Sequence, residues 1–536
     1  MKFPAIALAL GLALCLPAAL EAAGPRERWS EEAVWTWYRS QPWMCGFNYV
    51  PSTAANTTEL WQAETFDPST IDRELGWAQD IGFNSCRVFI QYLVWKNDPE
   101  GLKKRMDRFL GIAARHGISV MPVLFDDCAF GDPPITEPFL GKQREPIPGL
   151  ILPSWTPSPG LKAVADRAAW PDLERYVKDL VGSFGADRRV IFWDLYNEPG
   201  NSGMGEKSLP LVEAAFDWAR AVGPTQPLTV SVWGAGGELD RVQIARSDFP
   251  SFHAYTDTAG LRGAIARLRP YRRPVVSTEW MARLSGSRWE MDLPLLKEEA
   301  VGCYAWGFVN GRGQCQFPWW SEKGAPEPEV WFHDILRRDG TPWRPAEVES
   351  IRKTAADKRV DFGAGERFLD KLGPGVIDDA DPRAAWSGPW TLWTGEGPLA
   401  WTLHYANDAS SRCDLAFDGT GIRLIHKAGP DCGIAEILLD GKSAAAAGGG
   451  ALPADSGGKA LLDTFAPDVD WNREVPVAAG LSPGKHILSV LVTGRKREAS
   501  TDAYVQVVGF KVEPAPAPAP APAPAADPTK TDPAKR

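Results

Sequence analysis

The chain has 536 residues, of which 44% are hydrophobic and 24% charged, a composition typical of a folded protein with more than one sizeable core and not of a mainly disordered chain. Acidic side chains outnumber basic ones by 68 to 58, which gives a net charge of −10. This balance argues against the basic surface that nucleic-acid binding requires, so no nucleic-acid partner is expected. Tryptophan is frequent, at 24 residues, and its flat face suits both core packing and stacking on sugars.

The N-terminus has the pattern of an export signal. Lys2 precedes an apolar run from Phe3 to Leu20, and small residues follow before the first charges of the mature chain. The pattern predicts a signal peptide over residues 1–23 and export to the periplasm or the cell exterior. The apolar run is too short to span a bilayer comfortably, and no later segment is apolar enough, so no integral membrane segment is expected.

Residues 25–353 alternate short β-type runs with helical patterns, as in parallel strands joined by crossover helices. The eight predicted strands are Gly46–Val50, Ser85–Ile90, Ser119–Asp126, Val190–Glu198, Leu228–Trp233, Ser251–Tyr255, Pro274–Trp280 and Gly302–Val309. Between them, apolar residues recur at helical spacing, for example from Leu102 to Ala113 and from Leu173 to Phe184. Eight such units predict a (β/α)₈ TIM barrel.

A proline-rich stretch between Asp126 and Trp170 is far longer than an ordinary loop. Because it follows the third strand, it is expected at the C-terminal face of the barrel, where such folds keep their chemistry. It either walls off a cleft or lines it.

The remaining chain divides by composition into three parts. Residues 354–373 form a predicted linker, and residues 374–513 carry β-type runs and turns without helical repeats, which predicts an all-β sandwich. Residues 514–536 are a Pro/Ala-rich tail that cannot bury a core.

The cysteines do not suggest a metal site, because no cysteine or histidine spacing resembles that of zinc ligands. Cys45, Cys86 and Cys303 lie in or beside predicted strands and are expected to be buried free thiols. Cys413 and Cys432 either pair within their own domain or stay free.

Two glutamates stand at the ends of opposed predicted strands. Strand four ends in Asn197-Glu198 and strand seven in Glu279-Trp280, so the two carboxylates are predicted to face each other across the barrel mouth. Glycoside hydrolysis needs such a pair, one acid to protonate the leaving oxygen and one carboxylate to attack or to activate water. A separation of about 5 to 5.5 Å would give retention of configuration.

With these residues in strand order, the first domain resembles the retaining (β/α)₈ glycoside hydrolases, most closely glycoside hydrolase family 5, which contains cellulases and mannanases. The resemblance implies Glu198 as acid/base and Glu279 as nucleophile, without a metal or an organic cofactor. The supporting residues that it implies are Asn197 at the sugar 2-hydroxyl, Arg87 and Tyr255 at the nucleophile, His253 beside Tyr255, and Trp306 under the reactive sugar.

The chain departs from the family pattern after strand three, where Asp126-Asp127-Cys128 stands in place of an Asp-x-His arrangement. This departure alters the expected sugar-binding floor. Asn48-Tyr49 after strand one resembles related mannanases and β-galactosidases and widens the range of substrates. Three tryptophans either form further sugar platforms or pack the loops: Trp155, Trp319 and Trp320.

The second domain resembles the galactose-binding-like jelly rolls attached to many exported glycosidases, through segments such as Thr402–Tyr405 and Ala435–Gly441. It is either a carbohydrate-binding module or a stabilising spacer.

Taken together, the sequence predicts an exported retaining O-glycosyl hydrolase that acts on a β-linked polysaccharide or oligosaccharide of the β-1,4-glucan, mannan or xylan type. Two alternatives stay open: a catalytically silent glycan-binding protein, and a transglycosylase that uses the same intermediate. The sequence leaves open the sugar, internal or terminal cleavage, and the oligomeric state.

Overall fold

The computed structural model describes residues 25–234, 237–363, 372–446 and 452–514. The predicted signal peptide, most of the predicted tail and part of the predicted linker lie outside these residues. The chain divides into two compact units, residues 1–367 and 368–536. Among the described residues, no helix combines the length and the apolar character that crossing a bilayer requires.

The first unit is an eight-stranded parallel barrel. Its strands are β1 (Cys45–Asn48), β2 (Ser85–Phe89), β3 (Ser119–Asp126), β4 (Trp193–Asn197), β5 (Leu228–Thr229), β6 (Ser251–Ala254), β7 (Val276–Trp280) and β8 (Gly302–Ala305). They pair in the order β5-β4-β3-β2-β1-β8-β7-β6. Val232, just after β5, completes the closure, because its N–H donates to the Ser251 carbonyl (2.8 Å) and its carbonyl accepts from the His253 N–H (2.9 Å). The predicted TIM barrel is confirmed.

Helices alternate with these strands. They are α1 (Glu31–Arg39), α2 (Thr57–Trp61), α3 (Pro68–Ile81), α4 (Tyr92–Asn97), α5 (Pro99–Arg115), α6 (Leu161–Ala165), α7 (Trp170–Phe184), α8 (Leu209–Ala221), α9 (Glu238–Arg246), α10 (Thr258–Leu268), α11 (Trp289–Glu298) and α12 (Pro345–Ala355). In α5 and α7 the apolar residues that recur at helical spacing are the buried ones, so their predicted faces are confirmed. These faces pack on the barrel strands in one apolar core.

Most barrel strands are buried along nearly their whole length, since helices cover the outer face and inward-pointing side chains fill the barrel interior. Polar side chains therefore collect at the carboxyl ends, where the loops begin. The two longest of these loops, residues 127–160 after β3 and residues 306–344 after β8, contact each other.

The second unit consists of two antiparallel sheets. Its strands are β9 (Val376–Asp378), β10 (Ala384–Ser387), β11 (Thr391–Thr394), β12 (Thr402–Ala406), β13 (Arg412–Asp418), β14 (Gly421–Ala428), β15 (Ile434–Leu439), β16 (Lys442–Ser443), β17 (Leu461–Asp463), β18 (Asp470–Ala478), β19 (Lys485–Val492) and β20 (Val505–Glu513). One sheet has the order β10-β13-β19-β15-β16, with β17 on β15, and the other β11-β12-β20-β14-β18, with β9 on β20.

Both sheets contribute to one core, through residues such as Leu415 and Val490 from one and Leu424 and Phe510 from the other. The predicted all-β sandwich is confirmed, and it contains short strands that no sequence pattern indicated. The seven described cysteines are free thiols, so Cys413 and Cys432 do not pair, and the Cys432 Sγ instead contacts the Lys427 carbonyl oxygen (3.6 Å).

We expect Leu180→Ala to lower the free energy of unfolding of the barrel by about 2–5 kcal/mol, because Leu180 is fully buried beneath α7 and its loss leaves a cavity. The α-helices of the described residues all lie in the first unit, so circular dichroism at 222 nm during urea unfolding reports on the barrel. Lys178→Ala, at a part-exposed position of the same helix, should change the value by less than about 0.5 kcal/mol. Equal effects of the two variants would contradict the assignment of this core face.

Candidate active site

Two carboxylates face each other at the carboxyl ends of opposed strands. Glu198 follows β4 and Glu279 lies in β7. One oxygen of Glu198 and one of Glu279 lie within 4.8 Å of each other. The structure thus brings together the pair that strand order predicted.

His253, in β6, contacts both carboxylates, whereas Tyr255, just after β6, contacts one of them. The His253 Nδ1 lies 2.8 Å from Glu198 Oε1 and 3.4 Å from Glu279 Oε2. The Tyr255 hydroxyl donates to Glu279 Oε2 (2.5 Å). His253 therefore couples the two acids, whereas Tyr255 orients one of them.

Arg87, in β2, is fully buried and holds the other oxygen of Glu279. Its Nη1 donates to Glu279 Oε1 (2.5 Å) and to Asn48 Oδ1 (2.9 Å). Its Nε and Nη2 donate to Asp194 Oδ2 (3.1 and 2.7 Å), and Nη2 also donates to Asn197 Oδ1 (2.7 Å). All five N–H donors of the guanidinium thus have acceptors.

Asp194 is the acceptor that sequence reasoning missed. It lies inside β4, fully buried, four residues before Glu198. A charged residue within an apolar strand was the available signal, because a buried charge is almost always paired.

Glu198 sits on a strained backbone and has partners of its own. Its φ is +41°, in the left-handed region that non-glycine residues rarely adopt, a strain that clusters at functional sites. Its Oε2 accepts from Asn201 Nδ2 (2.6 Å) and from the Cys128 thiol (3.2 Å). These contacts aim the carboxylate into the barrel mouth.

Cys128 occupies the place where the family pattern has a histidine. Besides its contact with Glu198, its Sγ accepts from Asn197 Nδ2 (3.5 Å), which also donates to Asp126 Oδ1 (2.8 Å). Burial raises the pKa of the Cys128 thiol well above its usual value, and the charges of Asp126 and Glu198 add to the rise. The neutral thiol is therefore a hydrogen-bond donor to Glu198.

Asp126 holds Asn197 and Cys128 in position. Its oxygens also accept from the Trp155 Nε1 (2.7 Å) and the Cys128 N–H (3.0 Å). Burial raises its pKa to about 7, and hydrogen bonds from Asn197, Cys128 and Trp155 oppose a larger rise.

The two facing glutamates differ electrostatically. Burial raises the pKa of Glu279, and the charges of His253 and Arg87 oppose that rise. Burial acts in the same direction on Glu198, but the hydrogen bond and charge of His253, with the bonds from Cys128 and Asn201, hold its pKa below the usual value. Protonation of the two acids is thus coupled through His253.

The carboxylates open into a pocket of about 470 Å³. Trp306 lines it, as does Trp319, whose ring packs edge-on against Tyr255 at 4.8 Å. Trp155 also lines it but is only 1% exposed and forms part of a wall. Trp320 is 61% exposed and packs against Phe332 outside the pocket lining. Trp233, which no sequence argument singled out, lies at the opposite rim.

Asn48, the last residue of β1, and Tyr49, the residue after it, point in different directions. Asn48 joins the Arg87 network, whereas the Tyr49 hydroxyl donates to the buried Glu74 (3.0 Å). Tyr49 is therefore a core residue.

One set of described residues brings three potential metal ligands within 4.8 Å of one another, namely Glu198, His253 and Glu279. The Arg87 guanidinium against Glu279 places a fixed positive charge at this set, which disfavours a cation there.

Removal of Asp194 should destabilise the barrel, because Arg87 would stay buried with two of its N–H groups unpaired. We expect Asp194→Ala to cost about 3–5 kcal/mol in urea unfolding followed at 222 nm. Asp217→Ala removes an ion pair whose carboxylate is 67% exposed and should cost less than about 1 kcal/mol. A loss below 1 kcal/mol for Asp194→Ala would show that the network is not structural.

The sequence matches no protein-family profile and no curated protein. Among solved structures, it is similar to GH5_18 from Streptomyces cattleya in complex with GlcNAc, at 12% identity over 59% of this chain and 80% of that one, with a TM-score of 0.40. It is also similar to an exo-β-1,4-mannosidase from Opitutaceae bacterium strain TAV5 (17% identity, 59% of each chain, TM-score 0.40). A third is the hyperthermostable endo-1,4-β-D-mannanase from Thermotoga petrophila RKU-1 (14% identity, 59% of this chain, 99% of that one, TM-score 0.39).

Proposed function

We propose that this protein is a retaining β-glycoside hydrolase. The observation that carries the proposal is the pair Glu198 and Glu279, with oxygens within 4.8 Å of each other across the barrel mouth. Retaining glycosidases hold their two carboxyl groups about 5–5.5 Å apart, whereas inverting ones need about 6.5–9.5 Å to admit a water between them.

Their surroundings assign the roles. Glu279 is clamped on both oxygens, by Arg87 and by Tyr255. These positive and hydrogen-bonding partners oppose the rise in the pKa of Glu279 that burial causes, and so they favour the ionised form that a nucleophile requires. One oxygen of Glu198 contacts Asn201 and Cys128, and the other contacts His253. These partners hold the carboxyl group in place while it donates or accepts a proton.

The reaction then proceeds in two displacements. Glu279 attacks the anomeric carbon while Glu198 protonates the glycosidic oxygen, and the bond to the leaving group breaks. The glycosyl group is then bound covalently to Glu279. Water attacks that carbon from the face that the leaving group vacated, Glu198 takes its proton, and Glu279 is released.

Substrate binding should adjust the protonation of the acid. In the free protein His253 holds the pKa of Glu198 low, yet a general acid must carry a proton. A sugar in the pocket displaces water from Glu198, and this desolvation favours the protonated carboxyl. We propose that the substrate is a β-linked glucan, mannan or xylan, or an oligosaccharide of one, and that the protein acts after export.

Azide distinguishes the roles of the two acids. We expect Glu198→Ala to lose about 10²–10⁴-fold in rate on substrates whose leaving group needs protonation and far less on a dinitrophenyl β-glycoside, whose phenolate leaves unaided. Azide should raise its turnover and give the β-glycosyl azide. Glu279→Ala should be inactive without azide and give the α-glycosyl azide with it, because azide then attacks from the face that Glu279 occupied.

The anomeric configuration of the azide product is read by proton NMR. Interchanged products would reverse the roles of the acids. A wild-type protein that binds glycan but turns over none of these substrates would favour a catalytically silent binding protein. Sugar transfer that exceeds hydrolysis at high acceptor concentration would favour a transglycosylase.

His253→Asn should move both limbs of the pH profile of kcat/KM to higher pH. Asparagine keeps a donor near Glu198 but carries no charge, so the pKa of Glu198 rises and the acid stays protonated to higher pH. The pKa of Glu279 also rises, because the charge of His253 lowers it in the wild type. His116→Asn is the control and should leave the profile unchanged, since His116 follows α5, just before β3 begins, and pairs with Asp72. A shift to lower pH in His253→Asn would contradict the coupling.

A further inference from the structure

The positions of Glu198 and Glu279 define the direction in which a bound sugar chain runs through the pocket. Glu198 protonates the glycosidic oxygen, so the leaving group must lie on the Glu198 side of the pocket. The ring attacked by Glu279 extends away from that oxygen, towards β8, where Trp306 lines the pocket. Any further sugar attached to the non-reducing end of this ring must continue past Trp306.

Leu152 and Trp155 form the wall of the pocket on that side. The Trp155 ring lies 6.0 Å from the Trp306 ring and 5.2 Å from Phe89, edge-on to both. Leu152, beside it, is 4% exposed, and both residues line the pocket. The loop after β3 thus closes the pocket beyond Trp306.

A separate cavity meets the pocket at Leu152 and Trp155, which line both. The residues that line this cavity also include Ser52, Phe89 and Gly313, and its volume is only about 30 Å³. That is room for a water molecule or two and not for a sugar.

Hydrogen bonds between loops hold this wall in place. The Leu152 N–H donates to the Gly313 carbonyl (2.8 Å), and the Gln314 Nε2 donates to the carbonyls of Ile147 (2.8 Å) and Leu150 (3.1 Å). The Arg312 N–H donates to the Ser52 carbonyl (3.1 Å). The loops after β1, β3 and β8 are therefore joined along one side of the barrel mouth.

Close backbone approach reinforces the junction. Gly149 has a φ of +89°, and a Cβ there would lie 2.4 Å from the Ala325 nitrogen and 2.7 Å from the Glu322 carbonyl oxygen. Only glycine fits, so the loop after β3 lies directly on the loop after β8.

The leaving-group side is different. Trp233 is 40% exposed at the rim, and its Nε1 donates to the Pro199 carbonyl (3.0 Å), next to Glu198. Asn201 also lines this side. An exposed indole beside the acid is suited to stacking on a leaving sugar of any length.

We propose that the enzyme is exo-acting: it accepts one sugar unit at the non-reducing end of a β-linked chain and releases it as a monosaccharide, with a variable leaving group. This inference rests on the proposed glycosidase function. It makes short oligosaccharides and chain ends the substrates, and internal bonds of a polysaccharide inaccessible.

Product analysis tests the inference directly. β-Linked oligosaccharides of two to six sugars, labelled at the reducing end, are incubated with the wild type, and Glu279→Gln serves as the control for contaminating activity. We expect labelled products shortened by one sugar at a time, together with free monosaccharide. Early release of disaccharide, or a rapid fall in the viscosity of a polysaccharide, would overturn exo-action while leaving the glycosidase function intact. If the wild type cleaves neither these substrates nor aryl β-glycosides, the proposed function itself fails.

Binding gives a readout that does not need turnover. An oligosaccharide whose terminal glucose or mannose carries a bulky acetal on O4 and O6 should bind Glu279→Gln at least tenfold more weakly than the unblocked sugar in calorimetry. Lengthening at the reducing end should not weaken binding. Equal affinity for the blocked and unblocked sugars would overturn the closed end.

A substitution tests whether the Leu152 side chain closes this end of the pocket. Leu152 has a φ of +45°, which glycine adopts without strain, so Leu152→Gly removes the side chain at a compatible position and joins the pocket to the cavity behind it. We expect the ratio of blocked to unblocked hydrolysis to rise at least tenfold. Leu140→Gly, exposed in the same loop, should leave the ratio unchanged. An unchanged ratio in Leu152→Gly would overturn its assignment as the wall.

Discussion

The buried guanidinium of Arg87 is the interaction on which the barrel mouth depends. Its five N–H groups reach acceptors from β1, β4 and β7, so one side chain on β2 joins four strands. A charge in the interior is tolerated only when it is paired and fully hydrogen-bonded. Asp194 supplies one counter-charge inside the barrel, and the second partner, Glu279, lines the pocket.

This arrangement places two identical side chains in different environments. Glu279 is held by fixed donors deep in the mouth, whereas Glu198 follows its strand on a strained backbone and meets polar groups from loops. His253 contacts both and couples their protonation. The difference in surroundings, and not in residue type, shifts the pKa values of the two carboxyl groups in opposite directions.

Strands and loops contribute different properties. The strand ends hold Glu198 and Glu279 in place, because β4 and β7 are buried along their whole length. The loops after β3 and β8 decide what reaches those groups, since their mutual hydrogen bonds place Leu152 and Trp155 across one end of the pocket. A change in these loops would alter the shape of the pocket without moving the two carboxylates.

The sequence by itself determined the barrel, the sandwich and the positions of Glu198 and Glu279, because apolar periodicity and strand order are local patterns that the parallel topology converts into a shared edge. The role of Asp194 and the direction in which Tyr49 points were decided only by the tertiary structure, since each depends on a partner distant in the chain. The same holds for the three tryptophans with two possible roles, of which Trp319 lines the pocket, Trp155 closes it and Trp320 lies outside. Loop-to-loop contacts between residues 145–155 and 310–325 leave no periodic signal, so the shape of the pocket follows from packing alone.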